Sequence, residues 1–425
     1  MSWLFLLVSV WGALFTYNVY RPLHGGPSRA FVSFLAGWIT SEFALHHIAW
    51  QALFTLGFVW AGALEAWPGQ LGLGITLLSW AGLVGAFWQA HAAGRVIDTA
   101  LHEALAEDFD AVLRRDPRPR RALLFDWSWV VQPFPRSHPR VEVQRDVIYA
   151  RARGLDLKLN VYRPRKSGER RPGLMQMHGG GWVVGSKDWD AQPLLFHMAE
   201  RGWVCFSVNY RLSPHATFPE HMIDLKRARV WIEEHAERYG ADPEFIVATG
   251  GSAGGHLSAH LALTAGDPEY QPGFESADTS VRGCVPFYGI YDFTPGRGGW
   301  RNPGIFEVLE KQVLKASYEE APELYQRSSP IERIHPGAPP FFVLHGTADS
   351  LVPVEQARRF VQAFREKAHA PIAYAEIPGA QHAFDFFHSP RTAYVLDGIE
   401  RFLTALHRAY LEGRGGPGKL LTELP

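Results

Sequence analysis

The chain has 425 residues, long enough for one large α/β domain and a further segment. Its 42 Lys and Arg are matched by 43 Asp and Glu, and a formal charge of −1 gives no reason to expect nucleic acid or another polyanion as partner. Two cysteines, Cys205 and Cys284, are too few to build a zinc site, and both fall in apolar runs that read as central strands, so buried thiols are expected rather than a disulfide.

Trp3 to Val19 carries no charge and is just long enough to cross a bilayer. It has no basic n-region and no small-x-small cleavage site after it, so it reads as a span rather than a removed signal peptide. Phe31 to Trp67 is apolar but too long for one crossing; it divides into an interfacial helix near residues 29–45 and a span from about Ile48 to Ala66. Leu71 to Ala90 is a further uncharged span. Trp3, Trp50, Trp67 and Trp88 fall near span ends, where indole rings favour the headgroup layer. Arg21 and Arg29 precede the second span, Arg95, Arg114, Arg115, Arg118, Arg120 and Arg121 follow the last, and no Lys or Arg lies between Arg29 and Arg95. Three spans put all these arginines on one side, which the positive-inside rule makes cytoplasmic; an integral membrane protein with a cytosolic catalytic domain is expected. Gly57, Ala61, Gly82 and Ala86 would allow close helix approach. Glu42, His46, His47 and His91 are the polar residues of this region, and a polar face on an interfacial helix explains the first three more simply than an in-membrane metal site.

Ala100 to Leu113 reads as an amphipathic helix leaving the membrane, ended by the basic, proline-broken run Arg114 to Arg121, which suits anionic headgroups. Phe125 to Pro139 is aromatic and Pro-rich, placed to pack over a site mouth. From Val141 short strands alternate with helices: Val141–Ala150, Leu155–Tyr162, Gly173–His178, Trp203–Val208, Phe245–Thr249, Gly283–Tyr288, Phe341–His345 and Ile372–Ile377. The first two alternate in polarity about Arg153-Gly154, as an antiparallel edge hairpin would; the rest are continuous apolar runs that predict a mostly parallel sheet covered on both faces. The predicted organisation is 1–94 transmembrane helices, 95–140 amphipathic helix and basic linker, 141–412 catalytic domain with a cap near 289–335, and 413–425 a flexible tail.

Gly250-x-Ser252-x-Gly254 follows the strand Phe245–Thr249 and opens a helical stretch, the signature of a nucleophile elbow that pushes Ser252 to the top of the sheet. Acyl transfer on a serine also needs a base, an orienting carboxylate and oxyanion donors, and in this kind of sheet the order is Ser, acid, His, each after a strand. Asp349 follows Phe341–His345 and His382 follows Ile372–Ile377, so Ser252, Asp349 and His382 are the expected catalytic residues. Strand Gly173–His178 runs into Gly179-Gly180-Gly181-Trp182, and the amides of Gly180, Gly181 and Ala253 are the expected oxyanion donors. No Lys-Ser/Thr follows to make this a Walker phosphate loop.

The stretch from about 141 to 410 resembles the hormone-sensitive-lipase-like branch of α/β-hydrolases, near bacterial esterases, arylacetamide deacetylases and kynurenine formamidases. The matching residues are His178 to Trp182, Asn209 to Pro214 with Phe218-Pro219 and Asp224, Asp242-Pro243, Gly250 to Gly255, His345-Gly346 to Asp349, and His382-Ala383-Phe384. The resemblance implies an α/β-hydrolase fold and gives His178, Tyr210, Arg211 and Asp224 the task of bracing the oxyanion loop. Gly251 and Asn209 stand where many members carry Asp, which brings the formamidase-like carboxylesterases closer. The resemblance does not cover residues 1–120.

The sequence therefore predicts a membrane-anchored carboxylic ester hydrolase working through an acyl-enzyme, with no cofactor or metal, on a lipophilic or lipid-like ester. An amidase or deacetylase, an acyltransferase, and a non-catalytic membrane ligand sensor are the alternatives; matched ester and amide substrates, transfer to alcohol over water, and fluorophosphonate labelling discriminate them.

Overall fold

The structure, a computed structural model, describes residues 1–115, 132–134, 136–166, 168, 170–296 and 303–414. Eight strands form one sheet: β1 (Val141–Ala152), β2 (Leu155–Pro164), β3 (Arg171–Met177), β4 (Val204–Val208), β5 (Ala241–Gly251), β6 (Cys284–Phe287), β7 (Phe341–Gly346) and β8 (Ile372–Ile377). Each coincides with a strand expected from the sequence. The order is β1-β2-β4-β3-β5-β6-β7-β8, with β1, β2 and β4 antiparallel and the remaining pairs parallel. At the edge hairpin both Arg153 (φ +48°) and Gly154 (φ +78°) are left-handed, the backbone that a two-residue hairpin turn requires. Cys205 and Cys284 are buried free thiols on β4 and β6.

The loop after β3 and the loop after β5 open in adjacent positions, because the chain crosses to β4 on one side of β3 and returns to β5 on the other. Such a switch point is where open α/β sheets place their sites. One face is packed by α6 (Glu220–His235), α7 (Ala253–Leu263) and α10 (Glu355–Lys367) through Leu225, Ile232, Leu257, Phe360 and Phe364. Between β6 and β7, where a cap near 289–335 is expected, the described residues form α8 (Pro303–Val308), a π-helical turn over Leu309–Leu314 and α9 (Pro322–Arg327). Leu309, Val313 and Leu314 are buried in the core of the face that carries α6, α7 and α10.

The N-terminal region comprises α1 (Ser2–Tyr20), α2 (Pro27–Glu42), α3 (Ala44–Trp60) and α4 (Trp67–Arg115). Two of these, α1 and α4, are long and apolar enough to cross a membrane, and α3 is a 17-residue apolar helix. Helices α1 and α4 run parallel: Trp3 meets Trp67 (5.2 Å), Thr76 bonds Ser9 (3.0 Å), Ser79 bonds Thr16 (2.8 Å) and Tyr20 donates to Gly82 O. Helix α3 runs the other way, with Phe58 stacked on Phe5. The chain start, Trp60 and Trp67 therefore share the end far from the sheet. Of the small residues expected at helix contacts, Gly82 and the buried Ala86 are at one; Gly57 faces open space and Ala61 is exposed, while Gly72 lies against the α1 backbone at Leu6.

Helix α4 does not end where composition changes near residue 94. It continues as one 49-residue helix, about 74 Å long, whose later Ala93, Ile97, Leu101 and Leu105 are buried against the sheet. There it shares a face with α5 (Gln192–Glu200) and α11 (Pro390–Ala409). The basic run from Asp116 to Arg121 and most of Phe125 to Pro139 lie outside the described residues; Phe134 packs on Phe43 and Phe387, and His388 N donates to Pro133 O (2.8 Å). The tail beyond residue 414 also lies outside.

Glu42, His46, His47 and His91 do not converge, and no group of metal ligands exists among the described residues. Glu42 is instead a buried tie to α11: Arg391 Nη1 contacts its Oε1 (2.9 Å), and Ser389 Oγ, just before that helix, donates to Oε2 (2.6 Å). His91 bonds Phe87 O on its own helix (3.0 Å), and His46 meets Phe43 edge-on. Glu42 ends α2 whereas His46 and His47 lie in the first turn of α3, so the three do not form the polar face of one helix. Removing one partner of a buried ion pair strands the other charge, so Arg391→Leu should destabilise the protein by about 3–5 kcal/mol, and Glu42→Leu/Arg391→Leu by much less; thermal unfolding of both in detergent checks this.

Candidate active site

Ser252 stands between β5 and α7 with φ +58° and ψ −119°, a backbone that costs a residue bearing a Cβ. The glycines around it are needed for space. A Cβ on Gly250 would fall 2.6 Å from Met177 O, one on Gly254 2.1 Å from the same oxygen, and one on Gly255 2.6 Å from Phe287 O. Ser252 N donates to Phe287 O (3.0 Å), pinning the turn to β6.

The loop after β3 has three successive residues with positive φ, Gly180 (φ +103°), Gly181 (φ +60°) and Trp182 (φ +62°). A Cβ on Gly180 would sit 2.1 Å from Val184 O. Among the described residues no hydrogen bond uses the N–H of Gly180, Gly181 or Ala253. These are the donors expected from the sequence, and they are unoccupied beside the serine turn.

On the loops after β7 and β8, His382 Nδ1 donates to Asp349 Oδ2 (2.7 Å). Asp349 Oδ1 accepts from the N–H groups of Leu351 (2.9 Å) and Val352 (2.8 Å), and His345 Nε2 lies 3.3 Å from Oδ2. Burial opposes ionisation of Asp349, but His382 and His345 outweigh it and hold the carboxyl well below the usual range. Gln381 ties the two loops, its Oε1 accepting from Ser350 N (2.7 Å) and His382 N (2.9 Å). Neither the Ser252 hydroxyl nor His382 Nε2 bonds any described residue; that contact is open, as is common before substrate binds. Tyr288 spans the gap: its ring centroid is 4.5 Å from that of His382, and its hydroxyl would be 2.7 Å from a Cβ on Gly251. Tyr288 is the reason glycine precedes the serine here, since Asp would collide with it.

Comparison with known proteins agrees with this geometry. A family model described as BD-FAE matches residues 159–364. The chain is 39% identical to the probable carboxylic ester hydrolase LipM of Mycobacterium tuberculosis over 95% of this chain and 93% of that one, and 36% identical to the esterase LipQ of the same organism over 93% and 89%. A Thermogutta terrifontis esterase solved with butyrate bound superposes with a TM-score of 0.52 at 28% identity, covering 63% of this chain and 94% of that one. The chain belongs to the α/β-hydrolase family of carboxylic ester hydrolases. It is an esterase by family, and the similarity to LipM and LipQ extends over its N-terminal helices.

In this esterase the four residues expected to brace the oxyanion loop lie behind it. The His178 ring stacks on Tyr210 (4.4 Å), Tyr210 OH donates to His178 O (2.9 Å), and His178 Nδ1 bonds Gly179 O (2.8 Å). Burial lowers the His178 pKa to about 4, so it stays neutral at pH 7. Arg211 forks onto Asp224 through Nε (2.7 Å) and Nη2 (2.8 Å), fixing the segment that carries Tyr210. Asn209, the other departure, accepts from Lys158 N (2.6 Å) and fastens that segment to β2.

Sequence reasoning missed the acids beneath the site. Asp190 accepts the Gly179 N–H and Asp385 accepts from Tyr288 OH, both fully buried. Burial raises Asp190 to about 7 and Asp385 to about 6. Tyr288 and Asp385 are too far apart in the chain for any spacing signal; Gln381, next to His382, was within reach of one. An acid whose folded pKa is raised loses stability as pH climbs from its unfolded value toward the folded one. Asp385→Asn keeps the acceptor for Tyr288, so it should stabilise the esterase by roughly 2 kcal/mol at about pH 8 and by about half as much near pH 5, read from unfolding midpoints.

Proposed function

We propose that the esterase is membrane-anchored and hydrolyses lipophilic carboxylic esters through Ser252, His382 and Asp349. His382 Nε2 takes the hydroxyl proton as Ser252 Oγ attacks the ester carbonyl; Asp349 holds the other ring nitrogen as donor and stabilises the imidazolium. The N–H groups of Gly180, Gly181 and Ala253 receive the oxyanion. Collapse expels the alcohol with the proton from His382, leaving an acyl-serine that water, deprotonated by the same imidazole, cleaves to the acid. The observation that carries this reading is the combination of unused amide donors, a strained serine and an aspartate-bound histidine, all on loops at the carboxyl ends of the parallel strands β3, β5, β7 and β8. None of these groups calls for a metal or cofactor.

The anchor is supported by the outer surface of the N-terminal helices, where Trp3, Leu7, Trp11 and Leu14, then Leu53, Leu56 and Trp60, then Leu77, Leu78 and Trp88 are exposed. Trp67 and Trp88 are about 31 Å apart along α4, close to the hydrocarbon thickness of a bilayer. Three crossings by α1, α3 and α4 leave α2 at the interface and Arg21, Arg29 and Arg95 on the side of the sheet, which the positive-inside rule makes cytosolic. An enzyme so anchored meets substrates that partition into lipid.

Fluorophosphonate should label the full-length protein in membranes and fail to label Ser252→Ala, with hydrolysis falling at least about a thousandfold. In bilayers, long-chain esters should be cleaved faster than water-soluble short-chain ones, and matched amides slowest. Activity confined to short acyl esters would remove the lipophilic assignment, and amides outrunning esters would favour the deacetylase reading.

A further inference from the structure

The loops that carry Asp349 and His382 are held from outside the sheet by α2. On the acid loop Ser350 Oγ donates to Ala30 O (3.1 Å). On the histidine loop Trp38 Nε1 donates to Ala383 O (2.7 Å), where the chain passes through a left-handed residue (Ala383, φ +58°). Between these bonds Phe34 meets the His382 ring edge-on, centroids 6.1 Å apart, and stacks on Trp38 at 5.0 Å. A Cβ on Gly37 would lie 3.4 Å from Nε2 of Gln381, the residue bonded to both loops. Trp38 packs against Phe386 (5.7 Å) and Phe387 (4.7 Å), and the helix ends at the buried Glu42–Arg391 pair. Both bonds therefore land on a residue adjacent to the acid or the base.

A histidine held by one carboxylate can still pivot about that bond. Its ring here is confined by Tyr288 and by Phe34, and its backbone is fixed by Trp38. We propose that Phe34 and Trp38 are positioning residues of the esterase: α2 sets where the His382 imidazole stands relative to Ser252, so the N-terminal region completes the active site. This rests on the reading of Ser252, His382 and Asp349 as the triad. A shift of about 1 Å in a reacting group costs on the order of a hundredfold in rate, so loosening this grip should appear in turnover rather than binding.

The test uses the full-length protein in detergent on p-nitrophenyl butyrate, with Trp38→Phe (which keeps a ring and removes the N–H), Phe34→Leu and Ser350→Ala. Each should lower kcat by about tenfold or more with KM within about twofold, while the unfolding midpoint moves little. Wild-type kcat in Trp38→Phe and Phe34→Leu, a change confined to KM, or a loss that merely follows reduced stability would overturn the proposal. Ser252→Ala and His382→Ala run alongside. If either still turns over, the triad assignment falls and takes this one with it; if both are silent while Trp38→Phe is normal, only the role of α2 is lost.

Discussion

The structure depends on how closely the chain ends of β3, β5 and β6 approach one another at Ser252. Carbonyls of Met177, His178 and Phe287 occupy the positions where side chains at residues 250, 254 and 255 would stand. That crowding forces the serine into a left-handed backbone and brings the start of α7 beside the glycine loop after β3. A larger residue at any of these glycines would push the strands apart before it disturbed the chemistry.

Around this point the same residue type is used in opposite electrostatic states. Asp349 is buried yet kept ionised, because two backbone N–H groups and two imidazoles compensate the lost solvent. Asp190 and Asp385 are equally buried with neutral donors, and their proton affinity rises. The first is held as an anion against the His382 ring. The other two act as scaffolding, one fastening the glycine loop after β3 through Gly179 N–H and one fastening the Tyr288 hydroxyl.

The N-terminal helices are more than a tether. Helix α4 runs without a break from the apolar bundle onto the sheet, and α2 touches the loops after β7 and β8, so bundle and sheet share one packed core. Their outer surface is apolar while the α1–α4 seam carries serine and threonine pairs that bond one another across it.

The amino-acid sequence by itself determined the eight strands, the elbow, the glycine loop and the order of serine, aspartate and histidine. These are encoded locally, in apolar runs, short turns and fixed offsets that survive without a partner. The tertiary structure alone decided that Glu42 pairs with Arg391, that Tyr288 fills the space left by Gly251, and that Phe34 and Trp38 stand against His382. Each joins residues tens to hundreds of positions apart, and no periodicity within one segment records which face of another it will meet. The long α4 is the intermediate case: its helical pattern was legible, but its continuation past residue 94 follows from packing on the sheet, where burial outweighs the change in composition.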